Sequence, residues 1–388
     1  MREVYGDLHI HIGSARGRAV KITASRKLDL KTVIYRDAPR KGLDMVGVVD
    51  AACLPVSEEI EEMLGTGELQ ELSEGGFLAR NDVLLIAACE VESLEGMHSI
   101  IYLPYMESIK KYQKYIRSRV RNMSLSTQRV NAGIKELIDL CCLLDGVFCP
   151  AHAFTPHKGI YGMWTDSLSA KLGRDLEQIK VLELGLSADT QMAGMLAETR
   201  KFTFLSNSDA HSSPNVGREY NLFRMAAKNF QELRFCLENK EGRRVLANYG
   251  MDPLLGKYYR SYCPECNTIR MEEPPVFVCN NCGQKKIING VYDRIVSIRD
   301  YDIAHHPVGR PPYKYRVPLK ELPGLGPKTM EKLLNHFYNE IELVEKASID
   351  DVERVAGESI ALMIKKMRLG RLKISPGGGG HYGKVIRI

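Results

Sequence analysis

Three side chains with metal-binding chemistry alternate through Tyr5-Gly6-Asp7-Leu8-His9-Ile10-His11-Ile12. In a β-strand, residues two apart share a face, so Asp7, His9 and His11 project from one side and the aliphatic residues from the other. A single histidine there would read as a hydrogen-bonded core residue. Two imidazoles beside a carboxylate each need a polar partner when buried, and a divalent cation serves all three. Further acids and histidines recur downstream: Asp50, Glu90 and Glu92, His98, His152, and the Asp209-Ala210-His211 triplet. Each alone reads as a capped or hydrogen-bonded side chain, whereas together they form a constellation. Mixed imidazole and carboxylate ligands suit zinc, manganese or iron better than magnesium. Clustered ions of that kind would activate a water and neutralise charge on a phosphate, without a side-chain nucleophile. Cys89, flanked by Ala87 and Ala88, reads as a buried structural thiol.

Two other patterns lie in the last third. Cys263-Pro-Glu-Cys266 and Cys279-Asn-Asn-Cys282, twelve residues apart, bring four thiolates to one tetrahedral zinc, the spacing of a structural zinc ribbon. The stretch Leu322-Pro323-Gly324-Leu325-Gly326-Pro327-Lys328 then leads into a helical pattern. Gly-x-Gly at a helix N-terminus leaves backbone N–H groups open to a phosphate. A degenerate second copy centres on Gly357, and a glycine-rich, basic segment containing Lys384 ends the sequence. That segment is expected to be flexible, as a linker-like tail or a strand-contacting arm.

The elements that must position these residues follow from the apolar runs. Strands are predicted over 3–11, 45–51, 83–92, 98–103, 147–153, 181–186 and 202–208, with helical stretches such as 58–64, 130–144 and 191–200 between them. Strands alternating with helices predict an α/β body with a largely parallel, closed sheet. In such barrels, functional residues collect at the C-terminal ends of the strands, where most of the acids and histidines above fall. Loops beyond those ends carry candidate base readers: Phe154, Tyr161 and Trp164; Glu183, Leu186 and Ser187; and Arg218 and Tyr220. Aromatics beside exposed backbone could sandwich a flat base.

Charge divides the chain. Residues 260–388 hold 21 Lys+Arg and 15 Asp+Glu, while residues 1–259 hold 33 of each. The final thirty positions carry Lys365, Lys366, Arg368, Arg371, Lys373, Lys384 and Arg387 and no acid. A neutral front and a basic back predict a catalytic body joined to a polyanion-binding module. No apolar segment approaches bilayer length and no secretory signal is visible, so a cytoplasmic, nucleoid-associated protein with reduced cysteines is expected.

The order Asp7-x-His9-x-His11, Asp50, Glu90, His98, His152, Asp209-x-His211 resembles the polymerase-and-histidinol-phosphatase (PHP) superfamily. That resemblance implies a distorted seven-stranded βα barrel with two or three metal ions that hydrolyses phosphate esters. His9, His11, Glu90 and Asp209 would hold one ion, and Glu90 would bridge to a second completed by His98 and His152. His211 would serve a third, with Asp50 or Asp7 either as a further ligand or as a carboxylate that supports the ligands from behind. The second motif of the superfamily, Thr-Asp-His, reads Val49-Asp50-Ala51 here, so a third ion lacks that histidine.

With the ribbon and the glycine hairpins, which resemble helix-hairpin-helix motifs, the whole chain resembles the endonuclease Q family. This resemblance implies a barrel over 1–250, a zinc ribbon over 258–300 and a helix-hairpin-helix module with basic tail over 315–388. Gly324, Gly326, Lys328, Gly357 and Lys384 would grip the DNA backbone. The implied activity is cleavage 5′ to uracil, hypoxanthine, xanthine or an abasic site in duplex DNA. It would use zinc, manganese or magnesium, leave 3′-hydroxyl and 5′-phosphate ends, and proceed by base flipping. An exonuclease or small phosphatase of PHP type, or a non-catalytic DNA-binding protein, is the alternative. A replication or repair partner is also conceivable from the sequence, without any feature that names it.

Overall fold

The structure is a computed structural model that describes residues 1–386, so Arg387 of the basic tail lies outside the described residues. The chain divides into two compact units. The first comprises Met1–Ala151, Ser169–Glu183 and Phe202–Asn248; the second comprises His152–Leu168, Leu184–Lys201 and the chain from Tyr249 onward.

The first unit is built on β1 (Arg2–Ile10), followed by β2 (Met45–Val48), β3 (Leu69–Glu71), β4 (Phe77–Ala79), β5 (Leu84–Glu92), β6 (His98–Leu103) and β7 (Val147–Pro150). Next come β8 (Val181–Glu183), β9 (Thr203–Leu205), β10 (Tyr220–Met225) and β11 (Arg244–Met251), whose last three residues belong to the second unit. β1 runs parallel to β2, β2 parallel to β5, and β8 parallel to β9. The β1–β10, β5–β6 and β6–β7 pairs are antiparallel. The sheet is therefore mixed rather than largely parallel. Only five residues, 93–97, join β5 to β6, too few for the dozen or more that a parallel crossover needs.

Helices α1 (Leu54–Gly65), α2 (Met106–Ile116), α3 (Ile134–Leu143) and α4 (Phe230–Glu238) accompany the strands. α4 starts at Asn229, whose side chain accepts from the Glu232 N–H at 2.7 Å, one of the four donors a helix start leaves open. It buries Phe230, Leu233, Cys236 and Leu237 in one core with Val4, Leu8, Met45 and Ile86. Each such side chain contributes roughly 1.5–3 kcal/mol when taken fully out of water. The C-terminal ends of β1, β2 and β5 share one rim. There the Val49 N–H donates to the Ile10 carbonyl at 3.1 Å, the Glu90 N–H to Val49 at 2.7 Å, and the His11 N–H to Ala210 at 2.9 Å.

In the second unit the two cysteine knuckles precede α5 (Val291–Ile298), α6 (Pro327–Phe337), α7 (Ile349–Ala356) and α8 (Glu358–Arg368). Leu333, Leu343, Val352 and Ile364 are fully buried in its core. Gly324 before α6 and Gly357 between α7 and α8 take φ +86° and +87°, conformations that side chains resist. Gly326, Lys328 and Lys384 are exposed. The glycine-rich tail, expected to be flexible, is docked. Ser375 pairs with Lys384, the Gly377 N–H donates to Leu254 at 2.8 Å, and the Gly383 N–H to Leu255 at 3.0 Å. Among the described residues, no helix is long and apolar enough to cross a membrane.

Candidate metal centre

The rim of the first unit gathers side chains from four places in the sequence. His9 and His11 present their Nε2 atoms to each other at 3.3 Å. Glu90 places Oε2 3.1 Å from His11 Nε2 and Oε1 3.6 Å from His9 Nε2. Asp209 Oδ1 stands 3.6 Å and 3.7 Å from the same two nitrogens. One hydrogen cannot satisfy two facing nitrogens and two carboxylates at once. A divalent ion about 2.0–2.2 Å from each ligand sets neighbouring ligand atoms roughly 3.0–3.5 Å apart, which is close to the spacing here. These residues fit a metal ion.

The opposite nitrogen of each ring is anchored. Glu183 receives His9 Nδ1 at 3.0 and 3.1 Å, and its Oε1 also accepts from Asn207 Nδ2 at 2.8 Å. Asp50 accepts His11 Nδ1 at 2.9 Å and the Ile12 N–H at 2.6 Å. Each carboxylate fixes the tautomer and aims Nε2 at the centre. Burial alone would lower the His9 pKa, but the Glu183, Asp209 and Glu90 carboxylates outweigh it and raise it to about 10. The site favours positive charge at that nitrogen. His211 is pushed down to about 4, by burial and then by His11, which keeps the ring neutral for ligation. Its ring lies tilted against that of His11 with centroids 4.6 Å apart, and His11, Asp209 and His211 form a second potential ligand group.

Glu90 uses its two oxygens differently. Oε1 meets His98 Nδ1 at 3.1 Å, and Oε2 faces His11. His98 lies between Glu90 and Glu92, whose Oε2 is 3.7 Å from its Nε2. Ala151, the residue before His152, donates its N–H to the His98 carbonyl at 3.2 Å. His152 itself opens the second unit, where Thr155 Oγ1 holds its Nδ1 at 3.0 Å. Gly185 packs on His152 so closely that a Cβ there would come within 2.8 Å of the histidine Cβ. Two of the candidate ligand positions depart from ordinary backbone: His152 has φ +31° and Asp209 has φ +45°. Such conformations cost of order 1–3 kcal/mol each and gather at functional sites.

Several expected residues are placed elsewhere. Asp7 accepts from the Ser208 and Gly217 N–H groups at 3.0 and 2.9 Å and staples the Asp209 loop to β1. The β1–β2 ladder shifts register between Asp7 and Ile10, which breaks the alternation that would have put Asp7 beside the histidines. Glu183, expected among the base readers, instead orients His9. Phe154 and Tyr161 stack on each other at 5.3 Å, both fully buried, so their faces are already used. Ser187 and Tyr220 are buried, Tyr220 against Tyr5, while Trp164 and Leu186 are half-buried. Arg218 donates to the Ser208 carbonyl at 2.8 Å, so it buttresses the Asp209 loop. Apolar packing took these side chains because an aromatic in a loop next to a core fills space before it meets a ligand. Lys21, Ser126, Thr127 and Asn207 reach the site without a motif to announce them. Cys89 is buried and its thiol pKa is raised by that burial, consistent with a structural role.

Replacing Glu183 by glutamine should weaken divalent-ion affinity by about 10–100-fold with the fold kept, because the neutral amide no longer fixes His9. Titration of the apoprotein with Mn²⁺ against a competing chelator measures this.

In the second unit, Cys263 and Cys282 Sγ lie 3.7 Å apart, as do Cys266 and Cys279. All four sulfurs fall within 4.8 Å of one another. Zinc–sulfur bonds of about 2.3 Å in a tetrahedron separate sulfurs by roughly 3.8 Å, so the four thiolates fit one zinc.

Comparison with known proteins bears on both sites. Residues 189–243 match a family model described as PHP-associated. The Bacillus subtilis (strain 168) protein YqxK is 37% identical over 99% of this chain and 100% of its own length. The lesion-specific endonuclease PfuEndoQ from Pyrococcus furiosus superposes with a TM-score of 0.86 at 31% identity, covering 99% of this chain and 95% of that one. A structure of endonuclease Q with a 27-mer duplex carrying an abasic lesion at the active site gives 0.85 at 32% identity, over 99% and 96%.

Proposed function

Since this chain belongs to the endonuclease Q family of the PHP superfamily, we propose that it nicks duplex DNA at damaged bases by metal-dependent hydrolysis. It cuts the phosphodiester 5′ to uracil, hypoxanthine, xanthine or an abasic site and leaves 3′-hydroxyl and 5′-phosphate ends. The observation that carries this reading is the facing His9 and His11 imidazoles with Glu90 and Asp209, in a chain alike over its whole length to a lesion-specific endonuclease.

His9, His11, Glu90 and Asp209 hold one divalent ion, and Glu90 and His98 take part in holding a second. Ions bound there supply an acidified water and positive charge against the phosphate. The chain's own residues do the rest. Glu183 and Asp50 keep the Nε2 lone pairs of His9 and His11 turned inward. Asp209, whose side chain is one-third exposed, is the ligand that borders solvent and therefore DNA. Cys263, Cys266, Cys279 and Cys282 hold a structural zinc. Gly324, Gly326, Lys328 and Gly357 meet the DNA backbone at helix ends, where open N–H groups and a lysine favour phosphate irrespective of sequence. Damage selectivity follows from base extrusion, which costs least for a mispaired or missing base.

A duplex with one internal deoxyuridine, incubated with the protein and Mn²⁺, tests this. A single nick 5′ to the lesion, absent from the undamaged duplex, is expected. Trimming from the ends, or no cut at all, contradicts it.

A further inference from the structure

The Asp50 side of the centre raises a question of charge. Asp50 has one oxygen on His11 and the other on the Ile12 N–H, and Ala51 offers no donor. On this side Asp50 is already engaged by His11, the Ile12 N–H and the Ser126 hydroxyl, while Glu90 Oε2 also faces it. Lys21 meets that oxygen. Its Nζ lies 3.3 Å from Glu90 Oε2 and 2.5 Å from Thr127 Oγ1, which in turn donates to Glu90 Oε2 at 2.8 Å. The Lys21 side chain is 14% exposed and that of Glu90 2%, so this pair is held at the edge of the site rather than on an open surface. Thr127 is held at φ +50°, a costly conformation for a β-branched residue. Ser126 ties the loop down from both ends: its N–H donates to the Val20 carbonyl at 3.1 Å and its hydroxyl to Asp50. Two loops distant in sequence are thus strapped together with the ammonium between them.

We infer that Lys21 is the third cation of the centre, a fixed ammonium held by Thr127 against Glu90 that completes the charge facing the phosphodiester in place of a third metal ion. This rests on the metal-dependent hydrolysis proposed above. A tethered ammonium needs no ligands of its own and cannot dissociate, and a preorganised charge of this kind acts where negative charge develops on the phosphate.

The test compares wild type with Lys21→Gln, Lys21→Arg and Thr127→Ala. Elemental analysis after metal saturation counts bound ions. Single-turnover rates are read on a deoxyuridine duplex and on bis-p-nitrophenyl phosphate with Mn²⁺. Wild type should hold two ions besides the cysteine-bound zinc. Lys21→Gln should keep that number and bind DNA within about threefold of wild type, yet turn over about 10²-fold more slowly on both substrates. Lys21→Arg should recover about tenfold of that loss, and Thr127→Ala should fall between. Three ions besides the cysteine-bound zinc in wild type would overturn the inference. So would a Lys21→Gln rate within about threefold of wild type, or a loss of ions that excess Mn²⁺ repairs. The two substrates separate the levels of failure. Wild type that hydrolyses the small diester but leaves lesion-bearing DNA intact refutes the DNA-repair reading, while the Lys21 comparison still stands on the diester.

Discussion

Replacing Asp209 by asparagine is expected to lower the nicking rate by on the order of 10³-fold while leaving the melting temperature nearly unchanged. Its Oδ1 lies 3.6–3.7 Å from both facing imidazole nitrogens, so on the proposed function it would give one ion a ligand atom and a negative charge. Asparagine keeps the shape and loses the charge. It is also well suited to the backbone here, since Asp209 sits at φ +45°, where asparagine is among the most tolerated residues. The side chain is one-third exposed, and Glu183 and Asp50 still hold the buried His9 and His11 rings in the variant. Single-turnover kinetics with a circular dichroism melt separates the two effects. Equal activity in variant and parent would remove the metal mechanism.

The second large effect belongs to the cysteines. Cys263→Ser should cost the protein one zinc per chain and unfold the segment around the knuckles, without removing ions from the rim of the first unit. A structural zinc contributes on the order of 10 kcal/mol of folding free energy, comparable with the whole stability of a domain. The consequence reaches the tail: Gly379 packs on the Tyr262 ring and the Arg260 N–H donates to Gly377, so the docked basic segment loses its seat. Hydrogen exchange should show new opening in 258–300 and in 374–385. Retained zinc content in Cys263→Ser, with unchanged exchange, contradicts this.

The side chains that meet at the rim and in the knuckles were legible because they obey local rules. His9 and His11 alternate on a strand, Asp209 and His211 frame a strand end, and paired Cys-x-x-Cys knuckles have no common structural alternative. What was not legible depends on partners far away in the chain. Glu183 looks like any loop acid until β8 brings it to His9. Phe154 and Tyr161 look like a base sandwich until they are seen stacked on each other. Lys21 and Thr127 belong to no motif, and contacts between loops distant in sequence, such as Ser126 with Val20, bring them to Glu90. The sheet departs from the expected parallel order for a related reason: helical stretches suggest parallel crossovers, while the short 93–97 connection that forces a hairpin carries little periodic signal.

On the proposed function, residues far apart in sequence meet to bind catalytic metal ions. Anomalous diffraction from crystals grown with Mn²⁺, recorded on both sides of the manganese edge, tests it most directly. A strong peak bounded by His9, His11, Glu90 and Asp209 is expected, with a second beside Glu90 and His98. An enzyme that nicks DNA from the same batch, yet shows no manganese peak among those side chains, would contradict it.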